Sequence, residues 1–229
     1  MDPVVVEFPL RGEWVAPNTP GHAVPSHGTD VLGQTYAYDF IQIDWNFPKA
    51  FRTSQKGTLA TLLFGVPLKE CMAWSQPIHA PFAGEVIEAE DGIKERNPIH
   101  LVRDIFAVLK NGFAFKKAKN NRDLRPLLGN YIILKGDDAF AMFGHARNGS
   151  ICVKPGDQLT AGQKIAEVGH SGNSTSAHLH FQLMDTSELL KAKGIPCCFR
   201  EYDLFEDGTW RKIVNGIPGR RDRIRRVDA

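Results

Sequence analysis

Between residues 129 and 184 the chain alternates short apolar runs with glycine and proline. That rhythm limits its fold more than any other feature. GNYIILKG (129–136), AFAMFGHA (139–146), GQKIAEVG (162–169) and AHLHFQLM (177–184) each have the length and residue types of a strand. VKPGDQL supplies a turn between the second and third. VVVEFPLRGEW near the N-terminus, TYAYDFIQI after a loop rich in Pro, Gly and His, and APFAGEVIEAE (80–90) read the same way. Many short strands with tight turns predict a mainly β chain, an antiparallel sheet or sandwich. Residues 51–75 show no regular pattern.

Residues 98–119 differ in texture. Ile99, Val102, Ile105, Phe106, Leu109 and Phe113 recur at helical spacing. They predict an amphipathic helix inserted between sheet elements and packed over them as a cover. The expected organisation is one domain over 1–185 with this helical insertion at about 95–122. Residues 186–229 are expected to form a mixed C-terminal extension containing a short helix. Nothing repeats along the chain.

Composition narrows the function classes. With 28 basic and 26 acidic residues the formal charge is only +2, which gives no case for nucleic-acid binding. Nine Lys/Arg against four acids in 91–128, and a basic C-terminus, read as a solvated face and a charged tail, with contact to an anionic polymer as the alternative. No run approaches 18 apolar residues, so no membrane span is expected. MDPVVVEFPLRGEW lacks the pattern of a secretory leader, which points to the cytoplasm unless a leader has been removed. Cys71, Cys152, Cys197 and Cys198 form no C-x-x-C pair and are expected to be free thiols. Trp14, Trp45, Trp74 and Trp210 read as packing residues.

The histidines carry more information. In a strand, residues i and i+2 share a face, so His178 and His180 point together. Two adjacent imidazoles suit a polar pocket better than a dry core, because each has two ring nitrogens to satisfy. Asp39 lies in the aromatic run YAYDF, where a buried carboxylate needs compensation. His27 lies in PSHGTD, and His145 ends AFAMFGH. Taken alone, each of these has a bland reading as a satisfied structural residue.

Together, SHGTDVLGQTYAYDF, AMFGHA and GHSGNSTSAHLHF resemble, in this order, the signatures of the M23 zinc metallopeptidases, also called lysostaphin-type or LytM-like endopeptidases. APFAGEV and VKPGDQLTAGQKIAEVGHSGNS resemble strand–turn elements of the same fold. The resemblance covers roughly residues 17–45 and 78–183. It implies one zinc per chain held by His27, Asp39 and His180, with His145 and His178 as catalytic histidines whose separate roles stay open. It implies hydrolysis of peptide bonds in peptidoglycan cross-links or stem peptides, in the cell envelope or outside the cell. A monomer is expected. Eleven residues separate His27 from Asp39, a longer spacer than the usual motif but similar to a variant with an extended loop. His22 lies in that loop and is an alternative first ligand, and Asp30 ranks below Asp39 as the carboxylate. His170, before SGNS, is a candidate for substrate contact. The insertion either rims the groove or is structural decoration.

Two other function classes compete. One is a catalytically inactive M23-like binding or regulatory protein, against which all five chemical positions stand intact. The other is a carrier module. The strand–turn elements also resemble lipoyl, biotinyl and sugar-phosphotransferase domains, but the lysine turn of the first two is missing. The third does not place an aspartate like Asp39 beside its histidines.

Overall fold

The computed structural model describes residues 2–55, 61, 63–117 and 123–226. Its strands, in chain order, are β1 (Val4–Val6), β2 (Gly12–Asn18), β3 (Tyr38–Ile41), β4 (Pro77–His79), β5 (Gly84–Glu90), β6 (Asn130–Lys135) and β7 (Phe140–Ala146). Then come β8 (Gln158–Leu159), β9 (Lys164–Glu167), β10 (Leu179–Met184), β11 (Gly194–Ile195), β12 (Cys197–Glu206), β13 (Thr209–Gly216) and β14 (Arg223–Arg226). The chain is therefore mainly β, with one long helix, Leu101–Lys117.

One large sheet runs in the order β1-β12-β14-β2-β3-β10-β7-β6-β5-β8, with β11 beside β10 and β13 beside β12. β4 and β9 pair separately. β1 lies parallel to β12, so a sheet that is otherwise antiparallel is mixed at that end.

Strand alternation gives this sheet two buried faces. Leu179, Phe181 and Leu183 of β10, Ala141 and Phe143 of β7, and Ile132 and Leu134 of β6 enter the main core. The residues between them turn the other way. Met184, Met142, Tyr131 and Ile133 form a smaller cluster with Leu32, Leu128 and Leu189. His180 lies on this second face, between core residues Leu179 and Phe181 in sequence.

Residues 186–226 join the sheet rather than forming the expected short helix. EYDLFEDG, read as part of a mixed segment, is the end of β12 and its turn. Glu206 pairs with Thr209, leaving Asp207 and Gly208 as a two-residue loop, both at positive φ (51° and 80°). Asp-Gly is the preferred pair for such a hairpin turn. Phe199 of β12 reaches deep into the main core, with ring centroids 5.0 Å from Phe8 and 5.2 Å from Tyr38. Residues 227–229 of the expected extension lie outside the described residues.

The helix lies where the periodicity predicts, but with the opposite side inward. Val102, Ile105, Phe106, Leu109 and Phe113 are exposed, whereas Asp104 is fully buried. The apolar stripe therefore does not act as a packed cover. Partners for the carboxylate fix the helix's rotation instead. Residues 118–122 of the predicted insertion lie outside the described residues. No helix among the described residues is long and apolar enough to cross a membrane.

Phe199→Ala is expected to lower stability by about 3–5 kcal/mol, the usual cost of truncating a buried phenylalanine. Chemical denaturation measures this. An unchanged midpoint would show that the C-terminal strands do not support the core.

Candidate metal centre

Sheet register assembles the site. Asp39 of β3 stands directly opposite His180 of β10, and Asn18 of β2 stands opposite Asp39. His180 also faces Gly144 of β7, which brings the following residue, His145, alongside. His178 is two residues before His180, just ahead of β10. His27 arrives from the loop before β3. One ligand atom from each of His27, Asp39 and His180 lies within 4.8 Å of the others. Among the described residues this is the one group of three or more His, Cys, Asp or Glu so placed.

Asp39 is the hub. Its Oδ2 lies 2.9 Å from His27 Nε2 and accepts a hydrogen bond of 2.7 Å from Asn18 Nδ2. Its Oδ1 lies 2.9 Å from His180 Nδ1 and 3.6 Å from His178 Nε2. Burial pushes this carboxyl's pKa up, but His178, His180 and His27 together hold it well below the ordinary value. For His180, burial opposes the charge and the Asp39 carboxylate favours it, with a net upward shift.

The outer ring nitrogens show how these groups suit a cation. Ser26 Oγ donates to Ala37 O at 2.7 Å, so its oxygen remains free to accept from His27 Nδ1, 3.1 Å away. Gln182 donates through Nε2 to Leu32 O at 2.6 Å, which turns its Oε1 to accept from His180 Nε2 at 3.0 Å. Each imidazole can thus keep its proton outside and turn a lone pair inward, beside a carboxylate. Two neutral imidazoles and one carboxylate are a fitting donor set for zinc that leaves room for a fourth ligand.

His145 and His178 are held differently. His145 Nδ1 donates to Ser171 O at 2.8 Å, and His178 Nδ1 donates to Ser176 O at 2.9 Å. Each ring then has Nε2 available as a base. The ring centroids are 4.6 Å apart. Burial lowers the pKa of both, His145 the more, and so favours their neutral forms. His145 sits at φ 62°, an uncommon backbone conformation for a residue with a side chain. All five residues line one cavity of about 200 Å³, with Leu32, Leu127 and Leu128 at its apolar side.

The alternatives weighed for these positions lie elsewhere. His22 is exposed, 3.5 Å from Arg220 Nη1, and is not in the group. Asp30 is also exposed and outside it. His170 is fully buried, so it is not a surface for substrate. Asn18, Ser26 and Gln182 were not identified from sequence. Gln182 had a signal, since it follows His180 at i+2 and shares its strand face.

A model of Peptidase family M23 matches residues 105–192, a span that holds His145, His178 and His180 but not His27 or Asp39. Over that span the chain is similar to this peptidase family. Similar solved structures include a zinc-containing peptidase from Vibrio cholerae, at 22% identity and TM-score 0.31, with 49% of this chain and 24% of that one covered. The chain thus spans about a quarter of that relative's length. The catalytic domain of the antimicrobial peptidase lysostaphin from Staphylococcus simulans matches at 18% identity and TM-score 0.38, covering 80% and 88% of the two chains. A mutant catalytic domain of the prophage-encoded M23 protein EnpA from Enterococcus faecalis matches at 18% and 0.38, covering 86% and 90%.

Gln182→Leu removes the acceptor that orients His180. Its zinc affinity is expected to fall about 10–100-fold, read by titration against a chelating indicator dye. Unchanged affinity would refute the orientation argument.

Proposed function

We propose that the chain is a zinc-dependent endopeptidase that hydrolyses peptide bonds in peptidoglycan cross-links or stem peptides. The observation that carries this reading is the convergence of His27, Asp39 and His180, with two neutral, Nδ1-anchored histidines lining the same cavity. His27, Asp39 and His180 would hold the metal. When bound there, zinc supplies Lewis acidity toward a scissile carbonyl and acidifies water at neutral pH. The remaining chemistry belongs to the chain. One of His145 and His178 accepts a proton at Nε2 as water attacks, then returns it to the leaving amine. The other is placed to stabilise the oxygen on which charge develops, through a proton that its Nε2 takes up from solvent. Burial favours the neutral form of both, the state a general base requires. The peptidoglycan assignment, and with it a place in the envelope or outside the cell, rests on the family resemblance.

The test is metal content with hydrolysis. The purified chain should carry about one zinc, lost in H180A and weakened in D39A. H178A should retain the metal while hydrolysis of peptidoglycan peptides falls about 10²–10⁴-fold. A chain that takes up no zinc at neutral pH would sink the proposal. Full metal affinity in D39A would show the ligand set to be wrong.

A further inference from the structure

The roles proposed above leave a buried polar chain unaccounted for behind His178, and the inference drawn from it rests on that reading. It begins on the inserted helix. Asp104, fully buried, accepts hydrogen bonds from Arg96 Nε at 2.7 Å, Arg103 Nε at 3.1 Å and the His100 backbone N–H at 2.9 Å. Its Oδ2 lies 3.3 Å from Nε2 of His170, which is also fully buried. His170 Nδ1 lies 2.9 Å from Ser174 Oγ, and Ser174 Oγ donates to Ser176 O at 2.5 Å and lies 3.1 Å from His178 Nδ1. An unbroken path of polar contacts therefore joins the insertion to a residue of the cavity.

The same helix grips the loop between β9 and β10 at further points. Arg96, just ahead of it, donates to Gly172 O at 2.9 Å and Ser174 O at 2.8 Å. Asn111 Nδ2 reaches Asn173 Oδ1 at 3.0 Å. This loop also supplies Ser171 O and Ser176 O, the carbonyls that anchor His145 and His178. A helix serving only as cover would turn Ile105 and Leu109 inward. This one exposes them and buries an acid whose neighbours lead to the site.

We propose that Asp104 and His170 are positioning residues, which act through Ser174 and the Ser176 carbonyl it holds to fix the ring orientation of His178 and the nitrogen that carries its proton. Neither touches substrate. The insertion thereby becomes part of the catalytic architecture, and His170 acts from beneath the site.

The experiment compares the full zinc-loaded chain with H170A, S174A and S174T. The tautomer of His178 is read by nitrogen-15 NMR of its ring, and kcat and KM are measured separately. Zinc content should be equal in all four. The unsubstituted chain should show one His178 tautomer, protonated at Nδ1. H170A and S174A should show mixed or exchange-broadened ring signals. In both, kcat should fall about 100-fold, as expected for a misaligned catalytic group, with KM little changed. S174T retains the hydroxyl and should restore both readouts. S174A leaves the Asp104–His170 contact in place and covers the case in which H170A does not fold. A folded H170A or S174A with wild-type ring signals for His178 would overturn the proposal. A zinc-loaded wild-type chain that cleaves no peptide would count against the peptidase reading alone, because the NMR comparison still decides the positioning role.

Discussion

Asp39 and His180 face each other across β3 and β10, and the whole site depends on that register. A one-residue slip would send both to the opposite face of the sheet. Their neighbours prevent it. Tyr38 and Phe40 flank Asp39, Leu179 and Phe181 flank His180, and all four are buried in the main core. Burying these large side chains, at about 1.5–3 kcal/mol each, holds the polar pair on the second face. The carboxylate is costly to bury alone, and His27, His178, His180 and Asn18 meet that cost together.

The four histidines of the site fall into two groups by what holds their outer nitrogen. His27 and His180 lean on side chains, Ser26 and Gln182. His145 and His178 lean on main-chain carbonyls, Ser171 and Ser176, both in the loop between β9 and β10. Of the first pair, His180 is oriented by a side chain of its own strand and His27 by a serine of its own loop. The second is oriented by the path of one loop, so any shift of that loop misdirects both rings at once. That difference makes the loop, rather than the strands, the element whose order sets the orientation of both rings.

Much of this was legible in the sequence because strands announce themselves. The alternation in AHLHFQLM puts His178 and His180 on one face, and the structure keeps them there. The resemblance of the motif-bearing runs to the M23 signatures also implied a shared site, and His27, Asp39, His145, His178 and His180 do line one cavity. What was not legible depends on contacts distant in sequence. Asn18 acquires its role because β2 and β3 pair, and nothing in its local sequence marks it. The helix was legible as a helix, yet its rotation was not. Periodicity locates an apolar stripe, but a buried Asp104 with two arginines and a histidine outweighs it. The strand character of 197–206 was available in the alternation of Glu201, Tyr202, Asp203 and Leu204 and in the Asp-Gly turn, whereas the charge of the segment pointed elsewhere.

The buried ionic cluster on the insertion is best understood through direction rather than strength. Ion pairs taken out of water contribute little net stability, and apolar residues of similar volume would hold the helix equally well. Apolar contact, however, is nearly indifferent to orientation. A hydrogen bond is not, since it weakens steeply as donor and acceptor fall out of line. Asp104 and Arg96 constrain His170 and the Ser174 carbonyl in angle as well as in distance. Through Ser174 that angular constraint extends to the ring of His178. Apolar residues in place of the whole cluster would keep the helix seated and lose the alignment, so the acid suits a loop that holds two imidazoles in fixed orientations.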